Sequence, residues 1–88
     1  MKLIIAIVSD TDNEKVSHAL TSENFKVTFI ASTGGFLRKG NSTFLIGLED
    51  DRLDTALKLI KDNCTPPASE KEKRGVIFVL NVNEYIHI

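Results

Sequence analysis

Two uninterrupted apolar runs, one near each end of the 88-residue chain, constrain its fold most. The runs are Leu3–Val8 and Gly75–Val82, and both are rich in β-branched residues. Runs of this kind are typical of central strands that are covered on both faces. A chain of this length is expected to form one domain, spanning residues 1–88.

A helix is predicted directly after the first run. Thr11 and Glu14 are three residues apart and fit a capping box, the usual start of a helix. The helix is expected to continue to about Thr21 and to end at residues 22–24. Its apolar stripe is formed by Val16, Ala19 and Leu20.

The second helical stripe is the strongest in the chain and consists of Leu53, Ala56, Leu57 and Ile60. Three acidic residues, 49–51, precede it. We interpret them as helix-capping residues in preference to an acid–base catalytic cluster. Thr65–Pro67 is expected to stop the helix. Residues 68–74 alternate in charge, which predicts a solvated loop.

The middle of the chain contains two further strand-like runs. From Phe25 the hydrophobic period is two, which places Phe25, Val27, Phe29 and Ala31 on one face and Lys26, Thr28 and Ile30 on the other. Thr43–Leu48 is predicted as the returning strand. Gly47 leaves a gap on one face of that strand, where a ligand or another backbone can come close.

The order β-α-β-β-α-β predicts a ferredoxin-like α+β fold, an antiparallel sheet with both helices on one face. Right-handed crossovers would place the first and third strands at the centre. The other face of the sheet then needs a cover. Candidates for an oligomer interface there are Thr28, Ile30, Leu45 and parts of the first and last strands.

The composition excludes several classes of protein. Eleven basic and twelve acidic residues give a formal net charge of −1, which argues against a general nucleic-acid or membrane-surface binder. Cys64 is the only cysteine, so a disulfide within the chain is impossible and a reducing compartment is the simplest assumption. The opening apolar run is too short for a signal peptide or a transmembrane helix. We therefore expect a cytoplasmic protein.

Catalytic and metal-binding residues are not expected. His18 and His87 are far apart and lie outside any cluster with metal-ligand spacing. His18 is predicted to be a surface residue of the first helix. Cys64 follows the second helix without a base that the sequence would place beside it.

The glycine-rich segment 31–47 admits two interpretations. In the first, the bare backbone at Gly34 and Gly35 approaches a ligand, Phe36 offers a stacking face, and Arg38 and Lys39 add positive charge. In the second, the segment is a hairpin with a long tip whose Phe36 and Leu37 fold back under a neighbouring element. The residues alone leave both open.

Taken together, several segments resemble the PII-like cyclic-di-AMP receptor family. The resemblance rests on Asn24–Thr28, Ala31–Arg38, Gly40–Phe44 and Gly47, and it also covers Met1–Val8, Asp50–Arg52 and Val76–Leu80. Its most specific part is the core Thr-Gly-Gly-Phe-Leu-Arg-x-Gly-Asn, residues 33–41. The resemblance implies a cytosolic, non-enzymatic signal receptor: a homotrimer that binds cyclic-di-AMP in clefts between subunits and acts on a downstream protein still to be identified.

The resemblance also implies a set of ligand-binding residues. Carried over by position, these are Asn24, Lys26, Thr28, Gly35, Phe36, Leu37, Asn41, Gly47, Phe78 and His87. The chain departs from the family pattern at three places. Lys26 replaces a usual arginine, His87 replaces a usual glutamine, and the connection 63–74 is shorter than in typical members.

Two alternatives remain beside the receptor. One is a structural or interaction protein that keeps the PII-like trimer but has lost cyclic-di-AMP binding or binds another adenine nucleotide. The other is a small acylphosphatase-like hydrolase that uses Arg38 and Asn41. Those two residues lie between strands and not in a strand-to-helix turn that would surround a phosphate, so this alternative ranks last.

Overall fold

The computed structural model describes residues 1–33, 40–66 and 75–88. Four strands and two helices alternate in the predicted order. They are β1 (Lys2–Ser9), α1 (Asn13–Ser22), β2 (Lys26–Thr33), β3 (Asn41–Leu48), α2 (Leu53–Asp62) and β4 (Gly75–Asn81). Short 3-10 turns, Asp10–Asp12 and Asp50–Arg52, lead into the two helices.

The four strands form one antiparallel sheet in the order β2-β3-β1-β4. The predicted ferredoxin-like α+β fold is therefore confirmed, with the first and third strands at the centre. Ile5 of β1 lies between Leu45 of β3 and Phe78 of β4, which fixes the register across three strands. In the described part of the chain, no helix is long and apolar enough to cross a membrane.

The hydrophobic core lies between the helices and one face of the sheet. Alternate residues of the two central strands are buried there, and both helices contribute side chains to the same cluster. The fully buried members include Ile4, Ala6, Val16, Leu20, Ile46, Ala56 and Ile60. These side chains are large enough to supply most of the stability of a small domain, at about 1.5–3 kcal/mol for each fully buried aliphatic residue.

The start of α1 differs from the predicted capping box. Ser9 caps the 3-10 turn, with its hydroxyl accepting from the Thr11 amide at 3.4 Å, and α1 itself begins only at Asn13. The capping box of Thr11 and Glu14 is therefore wrong. The 3-10 turn shifts the N-cap of α1 from the predicted Thr11 to Asp12, which takes Glu14 out of the position from which it would reach back to the cap.

The 3-10 turn after β1 is hydrogen-bonded to two other segments, the start of β3 and the residues after α2. Asp12 is 3% exposed, and its carboxylate accepts hydrogen bonds from the Thr65 amide (3.1 Å) and the Thr65 hydroxyl (2.5 Å). The Asp10 amide donates to the Gly40 carbonyl at 3.0 Å, and the Ser42 hydroxyl donates to the Asp10 carboxylate at 2.5 Å. This turn therefore joins the start of β3 to the segment that follows α2.

A β-bulge interrupts β2 at Ile30. Phe29 pairs with Phe44, but Ala31 pairs with Thr43, one residue later than an uninterrupted register requires. The extra residue changes the phase of the alternation. The uninterrupted two-residue period predicted from Phe25 to Ala31 is therefore wrong beyond Phe29, whereas Lys26 and Thr28 lie on the predicted face, paired with Gly47 and Leu45.

The segments near the C-terminus also differ from expectation. α2 ends at Asp62, three residues before Thr65, and the Asn63 side chain donates to the Leu59 carbonyl at 2.8 Å. The tail after Asn81 forms no strand, and β4 is an edge strand with exposed side chains. The first apolar run forms a central strand, as predicted, and the sheet face away from the helices is uncovered within one chain.

Candidate functional site

The face of the sheet opposite the helices is open and largely apolar. Its apolar side chains come from β1, β3 and β4, and β2 and β3 add three polar ones: Leu3, Ile5, Ile7, Leu45, Val76, Phe78 and Leu80, with Lys26, Thr28 and Thr43. The three from β4 are 44–52% exposed, although they are large and hydrophobic. An exposed apolar surface of this extent on a small domain marks an interaction site.

A cleft of about 520 Å³ lies on this open face, where β2, β3 and the C-terminal tail meet. Three of the predicted ligand-binding residues, Lys26, Thr28 and Gly47, line it together. The remaining lining residues are Met1, Leu3, Leu45, Val82 and Tyr85. The cleft therefore combines the Lys26 ammonium group and the hydroxyl groups of Thr28 and Tyr85 with apolar walls, the usual composition of a small-molecule site.

Gly47 keeps the floor of the cleft low. A Cβ atom at this position would lie 3.3 Å from the terminal methyl carbon of Met1, tighter than an ordinary contact. The pairing of Gly47 with Lys26 places this bare backbone beside the one lysine among the lining residues. The space left by the missing side chain is bordered by Met1, and the close approach of a ligand at Gly47 stays a prediction.

The C-terminal tail supplies an aromatic wall. Tyr85 lines the cleft and is 64% exposed, and its ring stacks on His87 with centroids 6.5 Å apart and planes at 21°. His87, another predicted ligand-binding residue, thus lies next to the cleft without lining it. The tail reaches this place because the Val82 amide donates to the Met1 carbonyl at 3.1 Å.

Met1 is itself held in place by an ion pair. Its ammonium group lies 2.9 Å from the carboxylate of Asp50, at the start of the second 3-10 turn. The hydrogen bond from this ammonium group lowers the pKa of Asp50 below its ordinary value. The acidic residues before α2 make no side-chain capping bond, so this ion pair replaces the predicted capping role for Asp50.

Asn24 lies immediately before β2, at the end of α1. It has a φ of 65°, the left-handed region that asparagine tolerates better than most residues. Its amide donates to the Thr21 carbonyl at 3.0 Å, and the Phe25 amide donates to the Leu20 carbonyl at 3.1 Å. These two bonds form a Schellman motif, so α1 ends where the sequence predicts.

The other predicted site residues are distributed differently. Phe78 lies on β4, separated from β3 by β1, and Asn41 lies at the opposite end of β3 from Gly47. Neither lines the cleft. Gly35, Phe36 and Leu37 lie outside the described residues, as does Arg38 of the hydrolase alternative. Within one chain, then, the structure gathers Lys26, Thr28 and Gly47 and leaves Asn41 and Phe78 apart.

Sequence reasoning missed Met1, Leu3, Val82 and Tyr85 as lining residues. Leu3 belongs to a run that is apolar throughout, so its pattern does not distinguish the open face from the covered one, and Met1 lies before that run. Val82 and Tyr85 lie in a tail without periodicity. An isolated tyrosine beside the last strand was the one signal available, because exposed tyrosines are enriched in binding sites.

Catalytic and metal chemistry find little support in the described residues. No group of three or more His, Cys, Asp or Glu side chains among them is arranged to hold a metal ion. Cys64 is buried and forms no disulfide, and His18 is exposed on α1 as predicted. The cleft contains no carboxylate.

Two comparisons with known proteins bear on this site. The family model of the cyclic-di-AMP receptor matches residues 1–72. A crystal structure of a functionally unknown protein from Pediococcus pentosaceus has a TM-score of 0.78 and 32% sequence identity, over 99% of this chain and 96% of the other. The family match includes β1 to α2, and with them every strand residue that lines the cleft. The protein therefore belongs to the cyclic-di-AMP receptor family of PII-like proteins.

Proposed function

We propose that this protein is a non-enzymatic receptor that binds cyclic-di-AMP in clefts between the subunits of a homotrimer. The observation that carries the proposal is the meeting of Lys26, Thr28 and Gly47 in one cleft on the open face. These are three of the positions that the family resemblance assigns to the ligand. Membership of a family of binding proteins supports the same conclusion.

The chemistry of the cleft suits a nucleotide. The Lys26 ammonium group is available to a phosphate, and the Thr28 hydroxyl offers both a donor and an acceptor. The bare backbone at Gly47 lets a ligand approach closely. The apolar side chains and the ring of Tyr85 suit a purine base, since aromatic stacking on a base contributes about 1–3 kcal/mol.

A subunit interface explains why the predicted residues are spread over the open face. Asn41 and Phe78 do not reach the cleft of their own chain, but a neighbouring subunit packed on this face would bring its copies to it. The exposed Val76, Phe78 and Leu80 would be buried by the same contact. An interface of this kind also supplements the small core of an 88-residue chain.

Calorimetric titration of the protein with cyclic-di-AMP, with ATP and cyclic-di-GMP in parallel, tests the proposal. We expect saturable binding of cyclic-di-AMP with one site per subunit, and weaker binding of the other two nucleotides. Lys26→Met should weaken binding, whereas Lys15→Met, on the exposed surface of α1, should not. Light scattering on the same samples should give the mass of a trimer, and a monomer at every concentration would contradict the shared site.

A second candidate is an interaction protein that keeps the PII-like trimer without binding cyclic-di-AMP. Lys26 and His87 favour it, because both replace the side chains usual in the family at positions in or beside the cleft. Lysine acts as a point charge and lacks the planar fork of arginine. A trimer that binds none of the three nucleotides at high concentration would establish this candidate in place of the receptor.

A further inference from the structure

Arg52, at the end of the turn before α2, reaches across to the segment that leads into β2. Its Nη2 atom donates to the Glu23 carbonyl at 2.6 Å. Its guanidinium carbon lies 3.9 Å from the centroid of the Phe25 ring. One side chain therefore holds the backbone of the residue before Asn24 and the ring of the residue after it.

The carbonyl that Arg52 binds has no partner within α1. In the Schellman motif the Leu20 and Thr21 carbonyls accept the amides of Phe25 and Asn24, and Glu23 comes after both acceptors. A cationic donor at the C-terminal end of a helix is favourable, because the carbonyls there carry partial negative charge. Arg52 thus completes the helix end from another element.

The same segment leads directly to the cleft. Asn24 has its strained φ of 65° at the centre of the motif, and Lys26, two residues later, is the cation of the cleft. Phe25 between them is 4% exposed and belongs to the core. Because Phe25 is fixed by the core on one side and by Arg52 on the other, the backbone on both sides of it has little freedom.

We propose that Arg52 is a positioning residue for ligand binding: it holds Asn24 and Lys26 in the geometry that the ligand requires, without contacting the ligand. This inference rests on the proposed function, since the ligand is cyclic-di-AMP. It assigns to a residue of the helix layer an effect on the opposite face of the sheet. Two properties of arginine suit this positioning role: the planar guanidinium group stacks on a ring, and its N–H donors have fixed directions.

Two substitutions separate positioning from charge. Arg52→Met removes the donor and the charge, and Arg52→Lys keeps the charge but loses the planar group. We expect both to weaken cyclic-di-AMP binding about ten-fold, roughly the effect of one charge-assisted hydrogen bond. If Arg52→Lys binds as tightly as the unchanged protein, the charge alone matters and the proposal is wrong.

A matched control separates positioning from general stability. Leu57→Ala removes a partly buried side chain that packs against the core from α2. It should lower the melting temperature without changing the affinity, measured well below that temperature. An equal loss of affinity in Leu57→Ala and Arg52→Met would overturn the proposal. In the Lys26→Met background the effect of Arg52→Met should shrink to less than about three-fold, because interacting positions are not additive.

Amide hydrogen exchange in the ligand-free protein tests the same contact without a ligand. In Arg52→Met the amides of Asn24 and Phe25 should exchange at least about ten-fold faster, because their bonds open more often. The Val82 amide, bonded to Met1 far along the chain, is the internal control. Unchanged exchange at Asn24 and Phe25 would overturn the inference. Absence of binding in the unchanged protein would instead reject the proposed function, and the exchange result would still decide whether Arg52 holds this segment.

Discussion

The two faces of the sheet are made from the same four strands, yet their surroundings differ completely. Ile4 points to the helices and is 0% exposed, while its neighbour Ile5 lies on the open face and is only partly buried. Both side chains are isoleucine, so the difference comes from what covers each face. The covered face holds the fold together, and the open face contains the cleft and the exposed Val76, Phe78 and Leu80.

The two faces of the sheet therefore have separate roles: one stabilises the fold and the other is available for binding. Hydrophobicity is needed on both faces, but only one of them is buried by the chain's own helices. The apolar residues of the open face therefore contribute little to the stability of a single chain and are free to serve binding. The following expected outcomes test this division, beginning with the largest effect.

The largest effect should come from comparing the two neighbouring isoleucines. Ile4→Ala leaves a cavity in the core and should cost about 2–5 kcal/mol in the free energy of unfolding. Ile5→Ala should cost less than half as much at low protein concentration, where few subunits cover the open face. Urea denaturation at several concentrations measures both. Equal costs at every concentration would mean that a single chain packs its two faces equally well.

The buried carboxylate on the covered side gives the next effect. Asp12→Ala leaves the amide and hydroxyl of Thr65 without their acceptor, which should cost about 1–3 kcal/mol in the free energy of unfolding. Glu14→Ala removes the same charge from an exposed position two residues later and should change stability by less than about 0.5 kcal/mol. Thermal denaturation of the two variants provides the comparison. A similar change in both would show that the contact with Thr65 contributes nothing.

A smaller effect is expected on the open face, in affinity instead of stability. Lys26→Arg restores the planar fork that is usual in the family, and should tighten cyclic-di-AMP binding by about 1 kcal/mol, the net value of one hydrogen bond. The melting temperature of the ligand-free protein should stay the same, because Lys26 is exposed. Calorimetry measures the affinity. Weaker binding in the arginine variant would mean that the site has adapted to lysine.

The smallest effect concerns the ion pair between the Met1 ammonium group and the Asp50 carboxylate. Since the pKa of Asp50 lies below its ordinary value of 3.8 in the folded protein, the pair stabilises the fold above about pH 4. That contribution is lost as the pH falls through the folded-state pKa. Asp50→Asn should therefore be slightly less stable than the unchanged protein at pH 6 and equally stable near pH 2. A difference that persists at pH 2 would need another cause.

Much of the fold could be predicted because the spacing of hydrophobic residues distinguishes helices from strands. Leu53, Ala56 and Ile60 repeat at helical spacing, and the alternation from Phe25 to Phe29 marks a strand, so the order of elements follows. The bulge at Ile30 could not be predicted, because one inserted residue leaves no mark in a short strand. The capping box failed because Ser9 competes with Thr11 for the same role, and local hydrogen bonding decides between them.

The candidate site was predicted in part, and from the resemblance more than from physics. Lys26, Thr28 and Gly47 meet in the cleft as that set of residues requires. Tyr85 could not be placed, because the position of an aperiodic tail depends on long-range contacts such as the bond from Val82 to Met1. The role inferred for Arg52 could not be predicted either, because it depends on a contact between the turn before α2 and the segment after α1.

The bond between Asp12 and Thr65 affects how well the fold tolerates changes in the length of the segment between α2 and β4. Thr65 is fixed to the turn after β1, and Gly75 is paired with Val8 at the end of β1, so the two ends of the connection between α2 and β4 are held near the same point. When the ends are fixed, doubling the length of the segment between them costs only about 0.6 kcal/mol. Insertions and deletions can therefore accumulate between residues 66 and 75 with little penalty to folding. We therefore expect one scaffold to tolerate connections of different lengths between α2 and β4, so this segment can change in sequence and length without loss of the fold.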